Sequence, residues 1–174
     1  FHGITIPAVT PFRVDGALDL NAFERNMEKW TATDIRGIMC LGSNGEFRSL
    51  DDEESLEVAK VASQTKGDKT LIVGVARESL LWTERFIDRL LSLLPNVDYL
   101  SVLTPSYFAS QMTDRALYDY YIALADRSSV PILLYVAPKF SNGVKVSSHI
   151  LNELACHPNI AGVKDTSSDM MDAY

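Results

Sequence analysis

The chain has few of the residues that build disulfide frameworks and metal sites. Its 174 residues include two cysteines and three histidines, and Cys40 and Cys156 are far apart in the sequence. Neither cysteine stands in a metal-ligand spacing, so both are predicted to be reduced thiols, and no metal site is predicted. Long apolar runs are also absent, because none approaches the roughly 20 residues that a membrane-spanning helix needs.

Positively charged residues are fewer than negatively charged ones. The chain carries 16 Lys and Arg residues against 23 Asp and Glu residues, a net charge of −7. Binding to a phosphate backbone takes a basic surface, so no nucleic-acid partner is expected, and no membrane partner either. The N-terminus lacks a basic segment followed by an apolar one. We therefore expect a cytoplasmic protein, with mitochondrial import as the alternative.

Apolar, β-branched runs recur about every 30 residues, which is typical of a βα repeat. They begin at Ile4, Ile38, Leu71, Leu100, Ile132 and Ile160. Runs such as 71–75 do not alternate with polar residues, which predicts parallel strands buried on both faces. Amphipathic helices are predicted between the runs; one begins at Ser49, where acidic residues follow, and one spans 147–155.

Two architectures fit these units, an open doubly wound sheet and part of an eight-stranded barrel. No GxGxxG or P-loop motif follows the first run, and Pro7 lies inside it, although proline is usually confined to sheet edges or bulges. A complete barrel takes about 250 residues. We expect an α/β fold, a TIM (β/α)8 barrel of which the chain supplies about the first six βα units. Residues 1–174 would form a single barrel domain, truncated at its C-terminus within a sixth helix after Lys164.

Lys164 is the first candidate for chemistry. It closes the apolar run 160–163 and is followed at once by polar residues. In a barrel, the carboxyl ends of the strands meet at one mouth, where catalytic residues lie. Burial removes hydration from an ammonium group and favours the neutral amine, which attacks a ketone carbonyl. The alternative is a strand-end lysine that reaches solvent along its apolar stem.

Other polar residues follow neighbouring runs. Tyr107 comes after the fourth run, Tyr135 ends the fifth, and Ser43 and Asn44 lie between two glycines after the second. Phenols and a hydroxyl transfer protons, and backbone amides in a glycine-bracketed turn bind a carboxylate. Packed tyrosines and an ordinary glycine-rich turn are the structural alternatives. Together with an amine, these groups supply what imine chemistry requires.

Five short motifs stand in order along the chain. They are AVTPF at 8–12, GSNGE at 42–46, TPSY at 104–107, YVAP at 135–138 and GVKD at 162–165. In this order and at these positions they resemble the class I pyruvate-dependent aldolases typified by dihydrodipicolinate synthase and N-acetylneuraminate lyase. The resemblance covers essentially the whole chain.

The resemblance implies a role for each candidate. The lysine that matches Lys164 forms a Schiff base with pyruvate, and the tyrosine that matches Tyr135 moves protons during bond making or breaking. The hydroxyl that matches Ser43 joins this relay, and the tyrosine that matches Tyr107 reaches the site of a partner subunit. Backbone amides that match Ser43 and Asn44 hold the pyruvate carboxylate. No cofactor is implied, and a homotetramer or homodimer is expected.

Three departures bear on the substrate. Val136 replaces the family's usual asparagine, Phe140 replaces the synthase's substrate-binding arginine, and Asn44 replaces its second threonine. Losing a guanidinium that pairs with a second carboxylate weakens the synthase assignment. GSNGEF is closer to the 4-hydroxy-2-oxoglutarate aldolase branch and to 2-keto-3-deoxy sugar-acid aldolases. The alternatives are dihydrodipicolinate synthase and a non-catalytic family member that binds a keto acid. A phosphate-binding barrel isomerase is disfavoured. Its phosphate site follows strands seven and eight, whereas this chain is expected to supply about the first six βα units.

Overall fold

The computed structural model describes residues 2–167 of the chain, which divide into two compact units. The first unit comprises Phe1–Gly74 and Arg89–Tyr99, and the second comprises Val75–Asp88 and Leu100–Tyr174. Each unit is therefore made from two separate stretches of chain.

Strands and helices alternate through the described residues. The strands are β1 (Thr5–Pro7), β2 (Gly37–Cys40), β3 (Thr70–Gly74), β4 (Tyr99–Leu103), β5 (Ile132–Val136) and β6 (Ile160–Asp165). The helices are α1 (Leu20–Thr31), α2 (Asp52–Thr65), α3 (Leu80–Leu93), α4 (Asp114–Arg127) and α5 (Ser148–Leu154). Short 3-10 turns occupy Ser43–Gly45, Phe47–Ser49, Ala109–Gln111 and Pro138–Phe140. The predicted βα repeat is confirmed.

The strands lie in the sheet in the same order as in the chain. In the first unit β1 pairs with β2 and β2 with β3, and in the second β4 pairs with β5 and β5 with β6, all in parallel. An open doubly wound sheet reverses its strand order at a switch point, whereas a barrel does not. The observed order therefore favours the barrel. Pro7 is the last residue of β1, and within residues 2–167 β1 pairs with β2 on one side, so the missing N–H of Pro7 breaks no ladder there.

The first unit has its core between β2, β3 and two helices. All of β2 is buried, and α1 turns Phe23 and Met27 inward. Helix α2 begins with a capping box, in which the Asp51 carboxylate accepts from Glu54 N at 2.8 Å and the Glu54 carboxylate accepts from Asp51 N at 3.0 Å. The prediction that this helix begins at Ser49 is wrong, because Ser49 ends a 3-10 turn and Asp51 supplies the reciprocal cap.

The second unit places α4 and α5 against its strands. Leu117, Tyr121 and Leu124 of α4 are fully buried, and the Tyr121 hydroxyl donates to the Val102 carbonyl at 3.2 Å. Burial raises the pKa of Tyr121 well above its ordinary value, so the phenol stays protonated and serves this bond. Helix α5 is capped by Ser147, which confirms the helix predicted at 147–155.

Strand β6 differs from its prediction as a buried element. Its residues alternate between half-buried and exposed, and Val163 is 46% exposed. β6 is the last strand in the sheet order, and within residues 2–167 no helix follows it to cover its outer face. The predicted sixth helix falls on 168–174, which lie outside the described residues.

Candidate active site

Lys164 and Tyr135 lie side by side in the second unit. They are register partners on β6 and β5, so both side chains project from the same face of the sheet. The Lys164 Nζ stands 3.4 Å from the centroid of the Tyr135 ring, and Tyr135 is 4% exposed. An ammonium group over an aromatic face is attracted by the ring quadrupole. The contact fixes the amine against a phenol at the carboxyl ends of two strands.

The face of β5 and β6 opposite Lys164 and Tyr135 borders a cavity. Val136 and Asp165 are register partners one residue further along, and the Thr166 amide donates to the Val136 carbonyl at 2.9 Å. Because successive strand residues point to opposite faces, Val136 faces away from the Lys164 amine. A cavity of about 450 Å³ on that outer face is lined by Val136, Val163 and Asp165. The departure at position 136 therefore lies on the face opposite the amine.

Tyr107 lies on the turn that follows β4. Its side chain is 77% exposed and packs edge-to-face on Phe108, with ring centroids 4.9 Å apart. The backbone of this turn is bound by Glu78, whose carboxylate accepts from Ser106 N at 2.9 Å and from Tyr107 N at 3.0 Å. The phenol is therefore presented outward from a turn that a carboxylate orders.

Ser43 and Asn44 begin a 3-10 turn in the first unit. Ser43 is half-buried and Asn44 is exposed. The bonds within the turn run from later amides back to Gly42 and Ser43 carbonyls, at 3.0 Å from Gly45 N and 3.2 Å from Glu46 N. The first amides of a helical turn have no acceptor inside that turn. The amides of Ser43 and Asn44 are the first two of this turn, and amides in that position can bind a carboxylate.

Close backbone contacts hold this turn in place. Leu41 and Glu46, which flank it, have φ values of 56° and 53°, in the left-handed region that non-glycine residues rarely adopt. A Cβ at Gly74 would stand 2.0 Å from the Leu41 carbonyl oxygen, so no side chain fits there. The buried Thr10 hydroxyl donates to the Gly45 carbonyl at 2.7 Å. Strained backbone of this kind persists only where the surroundings enforce it.

Two further ionisable groups are buried and are not candidates for catalysis. Burial raises the pKa of the Cys40 thiol to about 12. Burial likewise raises the pKa of Tyr120 to about 12, against a hydrogen bond with Thr83 that lowers it. Both groups are protonated near neutral pH, so neither acts as a nucleophile or a base there. Cys40 and Cys156 form no disulfide within residues 2–167, and Cys156 is exposed.

Two other features are absent from the described part of the chain. Among residues 2–167, no group of three or more His, Cys, Asp or Glu side chains is arranged to hold a metal ion. In the same residues, no helix has the length and apolar character to cross a membrane.

The structure brings some of the predicted site residues together. Lys164 contacts Tyr135, while Tyr107 lies on a separate turn of the second unit, and Ser43 and Asn44 lie in the first unit. Sequence reasoning missed two supporting residues, Thr10 and Glu78. Both bond to backbone groups about 30 residues away, and the sequence around each carries no local signal for such a partner.

The whole chain, residues 1–174, matches the model of the dihydrodipicolinate synthetase family. It is 32% identical over 168 residues to 4-hydroxy-tetrahydrodipicolinate synthase of Xanthomonas axonopodis pv. citri, covering 96% of this chain and 54% of the relative. It is 32% identical over 169 residues to the probable mitochondrial 4-hydroxy-2-oxoglutarate aldolase of Emericella nidulans, covering 94% and 54%.

A solved structure matches as well. The chloride-inhibited dihydrodipicolinate synthase of Acinetobacter baumannii, complexed with pyruvate, superposes with a TM-score of 0.89 and 28% identity, covering 98% of this chain and 57% of that one. The chain thus spans about half the length of the relatives it matches. Its strands and helices form part of a TIM barrel, which confirms the predicted fold. The chain belongs to the dihydrodipicolinate synthetase family.

Proposed function

We propose that the protein is a lyase that makes or cleaves a carbon–carbon bond next to pyruvate through a Schiff base on Lys164. The contact that carries this proposal is the 3.4 Å approach of the Lys164 Nζ to the Tyr135 ring. It joins an amine and a phenol at the carboxyl ends of β5 and β6. Family membership and the pyruvate complex of the Acinetobacter baumannii relative support pyruvate as the shared substrate.

The chemistry follows from these two groups. The Lys164 amine adds to the C2 carbonyl of pyruvate, and Tyr135 delivers a proton to the departing oxygen, which leaves as water. The resulting iminium withdraws electrons from C3, so the Tyr135 phenolate takes a proton from C3 and an enamine forms. The enamine carbon then adds to an aldehyde, whose oxygen takes that proton from Tyr135, and hydrolysis of the product iminium restores the amine. The iminium is the electron sink, and the proposal requires no cofactor.

The contact also sets where the substrate would lie. A carbon bonded to nitrogen is about 1.5 Å from it, so the C2 carbon on Lys164 would lie within about 5 Å of the Tyr135 ring centroid if the amine keeps its position. Tyr135 is almost fully buried, which keeps its ring in place beside the new imine. A fixed proton donor next to the reacting carbon lowers the entropic part of the barrier.

Ser43, Asn44 and Tyr107 are proposed to complete the site. The amides of Ser43 and Asn44 would hold the pyruvate carboxylate, and the Ser43 hydroxyl would relay protons. Their support is the GSNGE motif and the turn that orients these amides in the first unit. Tyr107 would act in the site of a neighbouring subunit of a homodimer or homotetramer. Its support is the exposure of its phenol on an ordered turn.

The proposed substrate class is that of 4-hydroxy-2-oxoglutarate and 2-keto-3-deoxy sugar acids. Phe140 and Lys139 are both exposed after β5, where the synthase resemblance would place an arginine at position 140. The similarity to the synthase of Xanthomonas axonopodis pv. citri makes 4-hydroxy-tetrahydrodipicolinate formation the second candidate. Release of pyruvate from 4-hydroxy-2-oxoglutarate, compared with the synthase reaction, separates the two.

Borohydride trapping tests the imine. The full-length protein is incubated with pyruvate and borohydride, and the reduced adduct is located by peptide mass spectrometry. We expect the adduct on Lys164, and we expect Lys164→Ala to lose it while its circular dichroism spectrum is retained. Lys29→Ala, which removes an exposed lysine of α1, is the matched control and should trap normally. An adduct on another lysine, or none on folded protein, would reject the proposal.

Deuterium exchange tests turnover without knowledge of the aldehyde. Enamine formation exchanges the methyl protons of pyruvate with D2O, which NMR follows directly. We expect exchange by the wild-type protein and none by Lys164→Ala. Pyruvate binding without either exchange or trapping would favour the non-catalytic alternative.

The remaining proposals concern the whole protein. We propose that residues 1–174 belong to one barrel domain and that the protein is cytoplasmic, with mitochondria as the alternative. The mitochondrial alternative is supported by the name of the Emericella nidulans relative. Fluorescence microscopy of the tagged protein in its own host tests the compartment, and light scattering of the purified protein tests the oligomer.

A further inference from the structure

We infer that Glu78 is a positioning residue that holds the turn carrying Tyr107, an inference that rests on the proposed function of Tyr107. The Glu78 carboxylate receives three hydrogen bonds from two consecutive residues. Oε2 accepts from Ser106 N at 2.9 Å and from Tyr107 N at 3.0 Å, and Oε1 accepts from the Ser106 hydroxyl at 2.9 Å. Both carboxylate oxygens are thus bound to one turn.

The Tyr107 turn lacks the bonds of regular structure at this point. Residues 104–106 belong to neither a helix nor a strand, and the next 3-10 turn begins at Ala109. Backbone amides bonded to an ionised carboxylate make stronger bonds than neutral pairs do. Glu78 therefore acts on this turn as a capping carboxylate acts on a helix end, by fixing two N–H directions.

The segment that carries Glu78 is itself firmly held. The Arg77 amide donates to the Thr83 hydroxyl at 3.0 Å, and the Arg77 guanidinium lies 3.9 Å from the Phe86 ring centroid and donates to the Ala76 carbonyl at 3.1 Å. Thr83 is fully buried. The Glu78 carboxylate thus holds the Tyr107 turn at a fixed position relative to this packed segment.

The Glu78 bonds have a consequence for the placement of the Tyr107 phenol. The Tyr107 side chain is 77% exposed, and its ring packs on Phe108. The Glu78 bonds fix the backbone from which this phenol projects. Loss of the carboxylate should leave Tyr107 present but misdirected, and a small misplacement of a catalytic group costs up to about 100-fold in rate.

The test compares two replacements of Glu78 by pyruvate deuterium exchange. Glu78→Ala should lower kcat for exchange about 10- to 100-fold and leave KM for pyruvate close to that of the wild type. Glu78→Gln should recover most of the rate, because the amide oxygen accepts from both N–H groups and its NH2 donates to the Ser106 hydroxyl. Asp119→Ala, which removes an exposed carboxylate of α4, is the control and should match the wild type.

A double-mutant cycle separates positioning from general damage. If Glu78 acts through Tyr107, Glu78→Ala should change the rate less than about two-fold in a Tyr107→Phe background, because coupled residues are non-additive. Hydrogen exchange by mass spectrometry should show faster exchange at 106–107 in Glu78→Ala than in Glu78→Gln. Full additivity in the cycle, or unchanged kcat in Glu78→Ala, would overturn the inference.

Trapping distinguishes this inference from the function on which it rests. Wild-type protein that fails to trap pyruvate on Lys164 refutes the proposed function. Wild-type protein that traps pyruvate, together with a Glu78→Ala variant of unchanged kcat, refutes the role of Glu78 alone.

Discussion

Thr10→Val should loosen the turn that carries Ser43 and Asn44 without changing side-chain shape. The Thr10 hydroxyl is buried and donates to the Gly45 carbonyl at 2.7 Å, and Gly45 is itself buried. Valine leaves that carbonyl without this donor, and an unsatisfied buried polar group costs about 1–3 kcal/mol. At about 2 kcal/mol, the unfolding equilibrium constant rises roughly 30-fold.

The measurement is urea denaturation of the full-length protein, followed by pyruvate exchange on the folded variant. Thr10→Ser keeps the hydroxyl and removes one methyl group, so it should cost only about 0.8 kcal/mol. Thr10→Val should also raise KM for pyruvate more than Thr10→Ser does, because the carboxylate-binding amides belong to the same turn. A valine variant as stable as the wild type, with unchanged KM, would show that this bond does not hold the turn.

Three other predictions concern Gly74 and the two cysteines. Gly74→Ala should destabilise the fold by about 3 kcal/mol or more, since the added Cβ would stand 2.0 Å from a backbone carbonyl that side-chain rotation cannot move; a variant with wild-type denaturation behaviour would contradict this. Iodoacetamide should label Cys156 and spare Cys40 at neutral pH, as peptide mass spectrometry would show. Because the pKa of Cys40 is about 12 when folded and the unfolded thiol ionises near pH 8.5, stability should fall as pH rises through this interval. Cys40→Ala should remove the part of the fall in stability with pH that Cys40 causes. The same dependence of stability on pH in the wild type and in Cys40→Ala would refute this prediction.

The positions of the strands could be predicted from the sequence because each strand is a nearly unbroken run of apolar residues. The runs predicted from Ile38, Leu71 and Leu100 begin one residue earlier in the structure, and the runs from Ile132 and Ile160 begin where predicted. Buried parallel strands have a local signal, since both of their faces must be apolar. Lys164 and Tyr135 follow from the same signal, because each lies at the end of such a run.

Burial and backbone partners could not be predicted in this way. β6 has the composition of a buried strand, yet it is half-exposed because burial depends on what covers it. Ser49 and Asp51 both have cap-forming side chains, and only the reciprocal bond with Glu54 selects Asp51. Glu78 meets Ser106 across 28 residues, a contact that depends on how two loops approach each other.

The division of the chain into two units has a consequence for its synthesis. Asp98 belongs to the later stretch of the first unit, and its carboxylate accepts from Lys66 Nζ at 2.6 Å and from Leu71 N at 2.8 Å. The ribosome makes residues 75–88, which belong to the second unit, before it makes Asp98. Domains that are continuous in sequence fold one after another as they emerge. Here the first unit cannot complete its contacts until residues 75–88 of the second unit have been synthesised.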